Sequence, residues 1–158
     1  MRIAVVDFGA GNLRSVAKAL DRVGFQVSIT SDPNDFSTSE GVVFPGQGIA
    51  GHAMENLKSR GLDVALKDYV MSGRPFFGVC LGLQLMFEKS DEENTECLGI
   101  LGGGNSKFNN TMKVPHMGWN NVRMVKPHYA FEDIPDGFQF YFVHSYYAVP
   151  ADGSVIVG

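Results

Sequence analysis

The chain has 158 residues, a length that suits one domain with a substantial core, and its 44% hydrophobic and 19% charged residues are typical of a folded globular protein. Its formal net charge is −4, and no run of Lys or Arg is present. This charge argues against nucleic acid or an anionic membrane as a partner, and it favours a small neutral or zwitterionic ligand.

The chain carries no sign of secretion, membrane insertion or a metal. The first apolar stretch is interrupted at Asp7, and no stretch approaches the ~20 apolar residues of a membrane span. We therefore expect a cytoplasmic protein. Cys80 and Cys97 are too few for a disulfide framework, and none of the four histidines stands at zinc-ligand spacing. Neither a metal nor another cofactor is expected.

The first half of the chain alternates apolar strands with helices. Strands are predicted at Ile3 to Val6, Phe25 to Ile29, Val42 to Phe44 and Pro75 to Val79, and helices after Asn12, through Met54 and Leu57, and from Leu62 to Met71. This alternation predicts an α/β fold with a mostly parallel, doubly wound, flavodoxin-like sheet. Gly9 and Gly11 do not indicate a dinucleotide site, because Arg14 occupies the position of the third glycine.

The second half is richer in short strands. The predicted strands are Leu98 to Leu101, Asn121 to Val125, Phe138 to Val143 and Tyr146 to Val149, separated by Gly, Asn and Pro. We expect antiparallel ribbons there.

Cys80 follows a short apolar strand and precedes apolar residues at helical spacing as far as Met86. Gly78 and Gly82 flank it, which gives the pattern of a nucleophile elbow with cysteine in place of serine. A helix beginning after Cys80 would direct backbone N–H groups at the sulfur and favour the thiolate. A buried structural cysteine is the alternative, but the paired glycines favour a nucleophile.

Two further segments bear on this site. The loop from Pro45 to Gly48 follows the third strand, and its glycines allow backbone N–H groups to face a bound oxygen, although a plain turn is the commoner meaning of Pro-Gly. His144 ends an apolar strand, where a histidine is commonly a hydrogen-bonded structural residue. On the residues alone it would be the default base for Cys80.

Four segments resemble a known family. Gly78 to Gln84 resembles the nucleophile motif of class I glutamine amidotransferases. Within that class, Asp7 to Leu13, Pro115 to Asn120 and Tyr141 to Tyr146 resemble the glutaminase subunits of imidazole glycerol phosphate synthases. The resemblance covers nearly the whole chain. The elbow alone specifies the class, whereas Pro115 to Asn120 is much more specific for these subunits.

The resemblance implies that residues 1–158 form a single glutamine amidotransferase domain that hydrolyses L-glutamine to glutamate and ammonia. The ammonia would be channelled to a (β/α)8-barrel cyclase in a heterodimer. That partner would make imidazole glycerol phosphate and the by-product aminoimidazole carboxamide ribotide in histidine biosynthesis.

The resemblance also implies a role for each residue of the motifs. Cys80 would be the nucleophile, and the N–H of Leu81 with one from Gln47 or Gly48 would form the oxyanion hole. The glutamine would be held by Gly46, Gln84, His144, Ser145 and Tyr146. The cyclase would face Pro115, His116, Met117, Trp119, Asn120 and Tyr141. Core packing is the alternative for Trp119.

The sequence departs from this family in three places. The family's base and its orienting carboxylate come from a C-terminal His-Pro-Glu segment that is absent from residues 1–158. We therefore expect the domain to lack its C-terminal part, and the natural protein to carry a His-x-Glu pair further on. Gln47 stands where valine is usual, and residues 102–106 are unusually rich in glycine.

Two other functions stay open. The first is a binding module of amidotransferase-like fold that docks a partner without chemistry, which the missing base would favour. The second is a glutaminase that supplies ammonia to sugar or chorismate amination, and the segment from Pro115 to Asn120 argues against chorismate.

Overall fold

The computed structural model describes residues 1–9, 11–109 and 113–158. In its first half, four parallel strands alternate with helices: β1 (Arg2–Val6), α1 (Leu13–Arg22), β2 (Gln26–Thr30), α2 (Asn34–Thr38), β3 (Gly41–Gly46), α3 (Ala50–Ser59), α4 (Leu62–Met71) and β4 (Phe76–Cys80). The strand order β2-β1-β3-β4 is the flavodoxin-like order. The predicted doubly wound, mostly parallel sheet is confirmed.

Helices cover both faces of this sheet because its central strands are apolar on both sides. Val5 and Val43 face the apolar stripe of α1, whereas Ala4, Val42 and Phe44 pack with α3 and α4 in the larger core. Successive strand residues point to opposite faces, so a strand covered on both faces has a continuous apolar run. The continuous apolar runs of β1 and β3 are therefore explained.

The second half adds a sheet and a ribbon. Its elements are α5 (Leu81–Gln84), β5 (Phe87–Ser90), β6 (Thr95–Glu96), β7 (Leu101–Lys107), β8 (His116–Asn121), β9 (Gln139–His144) and β10 (Tyr146–Pro150). Three short 3-10 turns span Glu92–Asn94, Tyr129–Phe131 and Gly153–Val155. The sheet has the order β10-β7-β5-β6, and β8 pairs with β9. The predicted antiparallel pairing is confirmed for β7–β10 and β8–β9. Strands β5 and β6, which precede the predicted region, are also antiparallel, whereas β5 and β7 are parallel.

Two strand predictions in this half were wrong. Leu98 to Ile100 is not a strand, because the buried Leu98 is held in the first core, where its N–H donates to the carbonyl of Leu85. Strand β7 begins only at Leu101. The strand predicted from Asn121 to Val125 lies earlier, at His116–Asn121, since this polar segment is the one that pairs with β9.

The helix predicted after Cys80 is shorter than its apolar spacing indicated. It ends at Gln84, and a turn follows in which the Met86 N–H donates to the Leu83 carbonyl. Strand β5 then begins at Phe87, whose side chain is buried. The apolar spacing in this segment thus reflects a single helical turn followed by a strand.

Candidate active site

Cys80 is the last residue of β4 and has φ 56° and ψ −116°, a conformation that residues with a side chain rarely adopt. Its thiol is exposed. A Cβ on Gly82 would overlap the carbonyl oxygen of Phe44, and a Cβ on Gly78 would lie 2.9 Å from the Cα of Leu83. Only glycines allow strand and helix to approach this closely. The structure therefore contains the strained elbow, and the interpretation of Cys80 as a buried cysteine is wrong.

The Gly46–Gly48 segment lies directly beside this elbow. Gly46 pairs with Cys80 across β3 and β4, and a Cβ on Gly46 would lie 2.9 Å from the Cβ of Leu81. Because Pro45 and Gly46 are still strand residues, the loop begins at Gln47, two residues later than the Pro45 start predicted for it. Gln47 and Gly48 are exposed, and Gly48 has φ +99°. Both features meet at the carboxyl edge of the parallel sheet, where such sheets bind ligands.

A cavity of about 350 Å³ brings most of the predicted site residues together. It is lined by Gln47, Gly48, Cys80, Leu81, Gln84, Glu92, Val143, His144, Ser145 and Tyr146. Gly46 does not line it and packs instead against the elbow. Cys80 of the first sheet and Val143 of the ribbon, 63 positions apart in the sequence, therefore share one concave site, the kind of place where small ligands bind.

The carbonyl oxygen of Tyr146 ties the parts of this cavity together. It accepts one hydrogen bond from Gln84 Nε2 (3.1 Å) and another from His144 Nδ1 (2.9 Å). Gln84 is held in turn by the buried Asn105, whose Nδ2 donates to the carbonyls of Gln84 (2.9 Å) and Lys89 (3.1 Å). The His144 ring thus has a structural hydrogen bond at Nδ1, which leaves Nε2 as its acceptor nitrogen.

The sequence reasoning missed Glu92. Its Oε2 accepts a hydrogen bond from the backbone N–H of Ala50 (2.8 Å), the first residue of α3, and Glu92 is one of the residues that line the cavity. Burial raises the pKa of Tyr146, and the negative charge of Glu92 raises it further. One feature of the sequence could have indicated such a residue. The N-cap of α3 is Ile49, whose side chain cannot accept a hydrogen bond, so the free N–H groups at the start of α3 need an acceptor from another part of the chain.

The two cysteines have different environments. Burial raises the pKa of the Cys97 thiol to about 11; the nearby charge of Glu92 adds to the rise and Lys58 opposes it. Cys97 is therefore protonated near neutral pH and is a poor nucleophile.

One face of the β8–β9 ribbon exposes a group of large apolar side chains. Met117 pairs with Val143 and Trp119 with Tyr141, and the four are 60%, 50%, 66% and 54% exposed in that order. We call these four residues the outer ribbon face. Trp119 and Tyr141 are in ring contact, with centroids 5.6 Å apart. Core packing of Trp119 is excluded, and an apolar patch of this kind is typical of an interaction surface.

The other residues predicted to face a partner divide between the two sides of the ribbon. Pro115 and Asn120 are exposed, whereas His116 is half-buried on the opposite face from Met117. Tyr141 and Val143 also line a second cavity, of about 550 Å³, which Cys80 shares. The outer ribbon face is therefore continuous with the surroundings of the cysteine.

The described part of the chain shows no cluster of three or more His, Cys, Asp and Glu side chains able to hold a metal ion. Within the same residues, none of the helices has the length and apolar character needed to cross a membrane. Gly9 and Gly11 both have positive φ, at 91° and 105°, but Ala10 between them lies outside the described residues.

Comparison with known proteins defines the class. The sequence profile of the family described as glutamine amidotransferase class-I matches residues 4–157. The chain therefore belongs to the class-I glutamine amidotransferase family, as its motifs predicted.

Curated relatives carry one particular name. The imidazole glycerol phosphate synthase subunit HisH of Dehalococcoides mccartyi is 46% identical over 155 residues, which cover 98% of this chain and 76% of that protein. The subunit of the same name from Neisseria meningitidis is 42% identical, over 100% of this chain and 81% of the relative. The resemblance to imidazole glycerol phosphate synthase subunits seen in the motifs is confirmed.

Solved structures confirm the fold. A crystal structure described as a glutamine amidotransferase superposes with a TM-score of 0.72 at 16% identity, covering 91% of this chain and 71% of the other. A glutamine amidotransferase from Thermotoga maritima gives a TM-score of 0.64 at 15% identity, covering 94% and 62%.

Proposed function

We propose that this chain is the glutaminase subunit of an imidazole glycerol phosphate synthase and hydrolyses L-glutamine to glutamate and ammonia. The observation that carries the proposal is the strained, exposed Cys80 in one cavity with the loop after β3 and with Gln84, Ser145 and Tyr146. The names of the relatives support the pathway assignment.

The cavity suits a small zwitterion. Its volume of about 350 Å³ is near the lower end of the range for ligand pockets. The carboxylate of Glu92 is the acidic group on its lining, and it would bind the α-ammonium group of glutamine in a charge-assisted hydrogen bond. Gln84, Ser145 and Tyr146 supply further polar groups for the amino-acid end of the substrate.

The chemistry follows from the elbow. The Cys80 sulfur attacks the carboxamide carbon of glutamine, and the C=O π electrons move onto the oxygen. That oxyanion accepts hydrogen bonds from the N–H of Leu81 and an N–H of Gln47 or Gly48. Collapse of the intermediate breaks the C–N bond, and ammonia leaves with the proton that the thiol gave up. Water then hydrolyses the thioester to glutamate and restores the thiol.

These reaction steps need a base that passes the thiol proton to the departing nitrogen. Among the described residues, His144 is the histidine on the cavity, and its Nδ1–H is held by the Tyr146 carbonyl. In our proposal His144 shapes the glutamine site and does not act as the base for Cys80.

The ammonia would pass to a (β/α)8-barrel cyclase bound on the outer ribbon face. Met117, Trp119, Tyr141 and Val143 form an apolar surface beside the cysteine, so a partner there would receive ammonia without its release to water. The assembly would be a cytoplasmic heterodimer of histidine biosynthesis.

The test is glutamate formation from glutamine by the protein with its cyclase partner, beside a Cys80→Ala variant. We expect turnover that the variant abolishes, while the partner still works when ammonia is supplied directly. Equal glutamate formation by both proteins would refute the role of Cys80. Binding of the partner with no turnover by either protein would support the binding module.

The cavity assignment has its own test. Glu92→Gln keeps the shape of the side chain but removes the charge, so the KM for glutamine should rise about tenfold or more while partner binding is retained. An unchanged KM would exclude Glu92 as the group that binds the α-ammonium.

A further inference from the structure

Four aromatic side chains from different parts of the second half of the chain meet beside the cavity that Cys80 lines. Phe108 follows β7, His116 begins β8, His144 ends β9 and Tyr147 lies in β10. The ring centroids of Phe108 lie 4.9 Å from His144 and 5.0 Å from Tyr147, and those of His116 and His144 are 5.7 Å apart. We call these four residues the inner aromatic cluster. It joins the β8–β9 ribbon to the sheet that contains β7 and β10.

Hydrogen bonds fix the two histidines of this cluster. Asn120 Nδ2 donates to His116 Nε2 at 2.6 Å, so the neutral His116 ring carries its proton on Nδ1. His144 donates from Nδ1 to the carbonyl of Tyr146, which also accepts from Gln84. Asn120 on the ribbon surface is therefore connected to Gln84 in the cavity by successive contacts through His116, His144 and the carbonyl of Tyr146.

We infer that His116 is a positioning residue for the glutamine site. Its ring packs edge-on against His144 and keeps the Nδ1–H of that ring on the Tyr146 carbonyl, which in turn holds Gln84 and the Ser145–Tyr146 segment in place. His116 is half-buried and does not line the cavity, so it acts through His144 rather than on the substrate. The inference rests on the proposed glutaminase activity.

The magnitude follows from the type of contact. An edge-to-face ring pair contributes enough that its loss corresponds to roughly a three- to tenfold change in an equilibrium constant. Because the contact orders the substrate site rather than the reacting sulfur, we expect the change in KM and not in kcat.

The experiment measures kcat and KM for glutamine with the protein at a saturating concentration of its partner. His116→Ala should raise KM about three- to tenfold with little change in kcat. His116→Phe keeps a ring at this place and should restore most of the loss. His128→Ala is the matched control, because His128 also has a ring contact, with Tyr129 at 4.2 Å, but lies outside the cluster. It should leave KM unchanged.

Direct titration of glutamine into each variant in a Cys80→Ala background gives a readout that is independent of turnover, and the thermal midpoint reports on folding. The inference is overturned if the protein is active but His116→Ala binds glutamine as tightly as the parent. It is also overturned if His116→Ala and His116→Phe lose the same affinity along with the thermal midpoint, since that marks a purely structural role. If the parent neither hydrolyses nor binds glutamine, the proposed function itself fails and the inference falls with it.

Discussion

Alkylation with iodoacetamide should distinguish the two cysteines sharply. The pKa of Cys97 is raised to about 11 from an ordinary 9.0. Below pH 9 its thiolate fraction is therefore about a hundredfold smaller than that of an ordinary thiol. Since the thiolate is the reacting form, Cys97 in the folded protein should react about a hundredfold more slowly than in the urea-unfolded chain. Cys80 is exposed to solvent and should be labelled first.

Timed quenching at pH 8, digestion and mass spectrometry of the two cysteine peptides measure both rates. Cys97→Ala should leave the fast label in place, and Cys80→Ala should remove it. The raised pKa of Cys97 also predicts how the stability of the folded protein depends on pH. Its contribution to stability is present below about pH 9 and is lost as the pH rises towards 11. Labelling of Cys97 in the folded protein at the unfolded rate would refute the reasoning.

Substitutions at three further positions test the site. Gln47→Val keeps the backbone N–H and should keep glutaminase activity, whereas Gln47→Pro removes that donor and should lower turnover about 10²–10³-fold; equal activities would exclude the loop from the oxyanion hole. Trp119→Ala should weaken partner association by about 2 kcal/mol, measured by calorimetry, with little change in thermal midpoint because the side chain is 66% exposed. Gly82→Ala should lower the free energy of unfolding, measured by urea titration, by about 3 kcal/mol or more, because the added Cβ would overlap the carbonyl oxygen of Phe44. Gly153→Ala is the control, because a Cβ on Gly153 would meet no other atom within 4 Å. An equal effect of both substitutions would contradict the argument that strand and helix approach closely at Gly82.

The first sheet and the elbow were predictable because local rules decide them. Strands buried on both faces have continuous apolar runs, and Asn12 caps α1 by accepting a hydrogen bond from the Ser15 N–H (3.3 Å), as such a residue before an amphipathic stretch predicts. The glycines at 78 and 82 fit only a place where two backbones nearly touch. Their spacing around Cys80 therefore predicted the elbow without any tertiary information.

The second half was less predictable because tertiary contacts decide it. Strand β8 contains histidine, glycine and asparagine and exposes Met117 and Trp119, so its pattern is not that of a half-buried strand. It is a strand because β9 supplies its hydrogen bonds. Glu92 was missed for a similar reason: its acidic neighbours indicate a solvated turn, and only the folded chain brings it to the start of α3, 42 positions earlier in the sequence.

Strand β9 shows how a short segment serves two surfaces at once. Because side chains alternate along a strand, Tyr141 and Val143 point to the outer ribbon face while Phe142 and His144 point inward, and the burial of the strand alternates accordingly. The inward His144 reaches the Tyr146 carbonyl, and the outward pair lies beside the cavity of Cys80. A change in the position of β9 must therefore move both surfaces together. In our proposal, the surface that binds the partner and the surface that shapes the glutamine site are therefore the two faces of one strand.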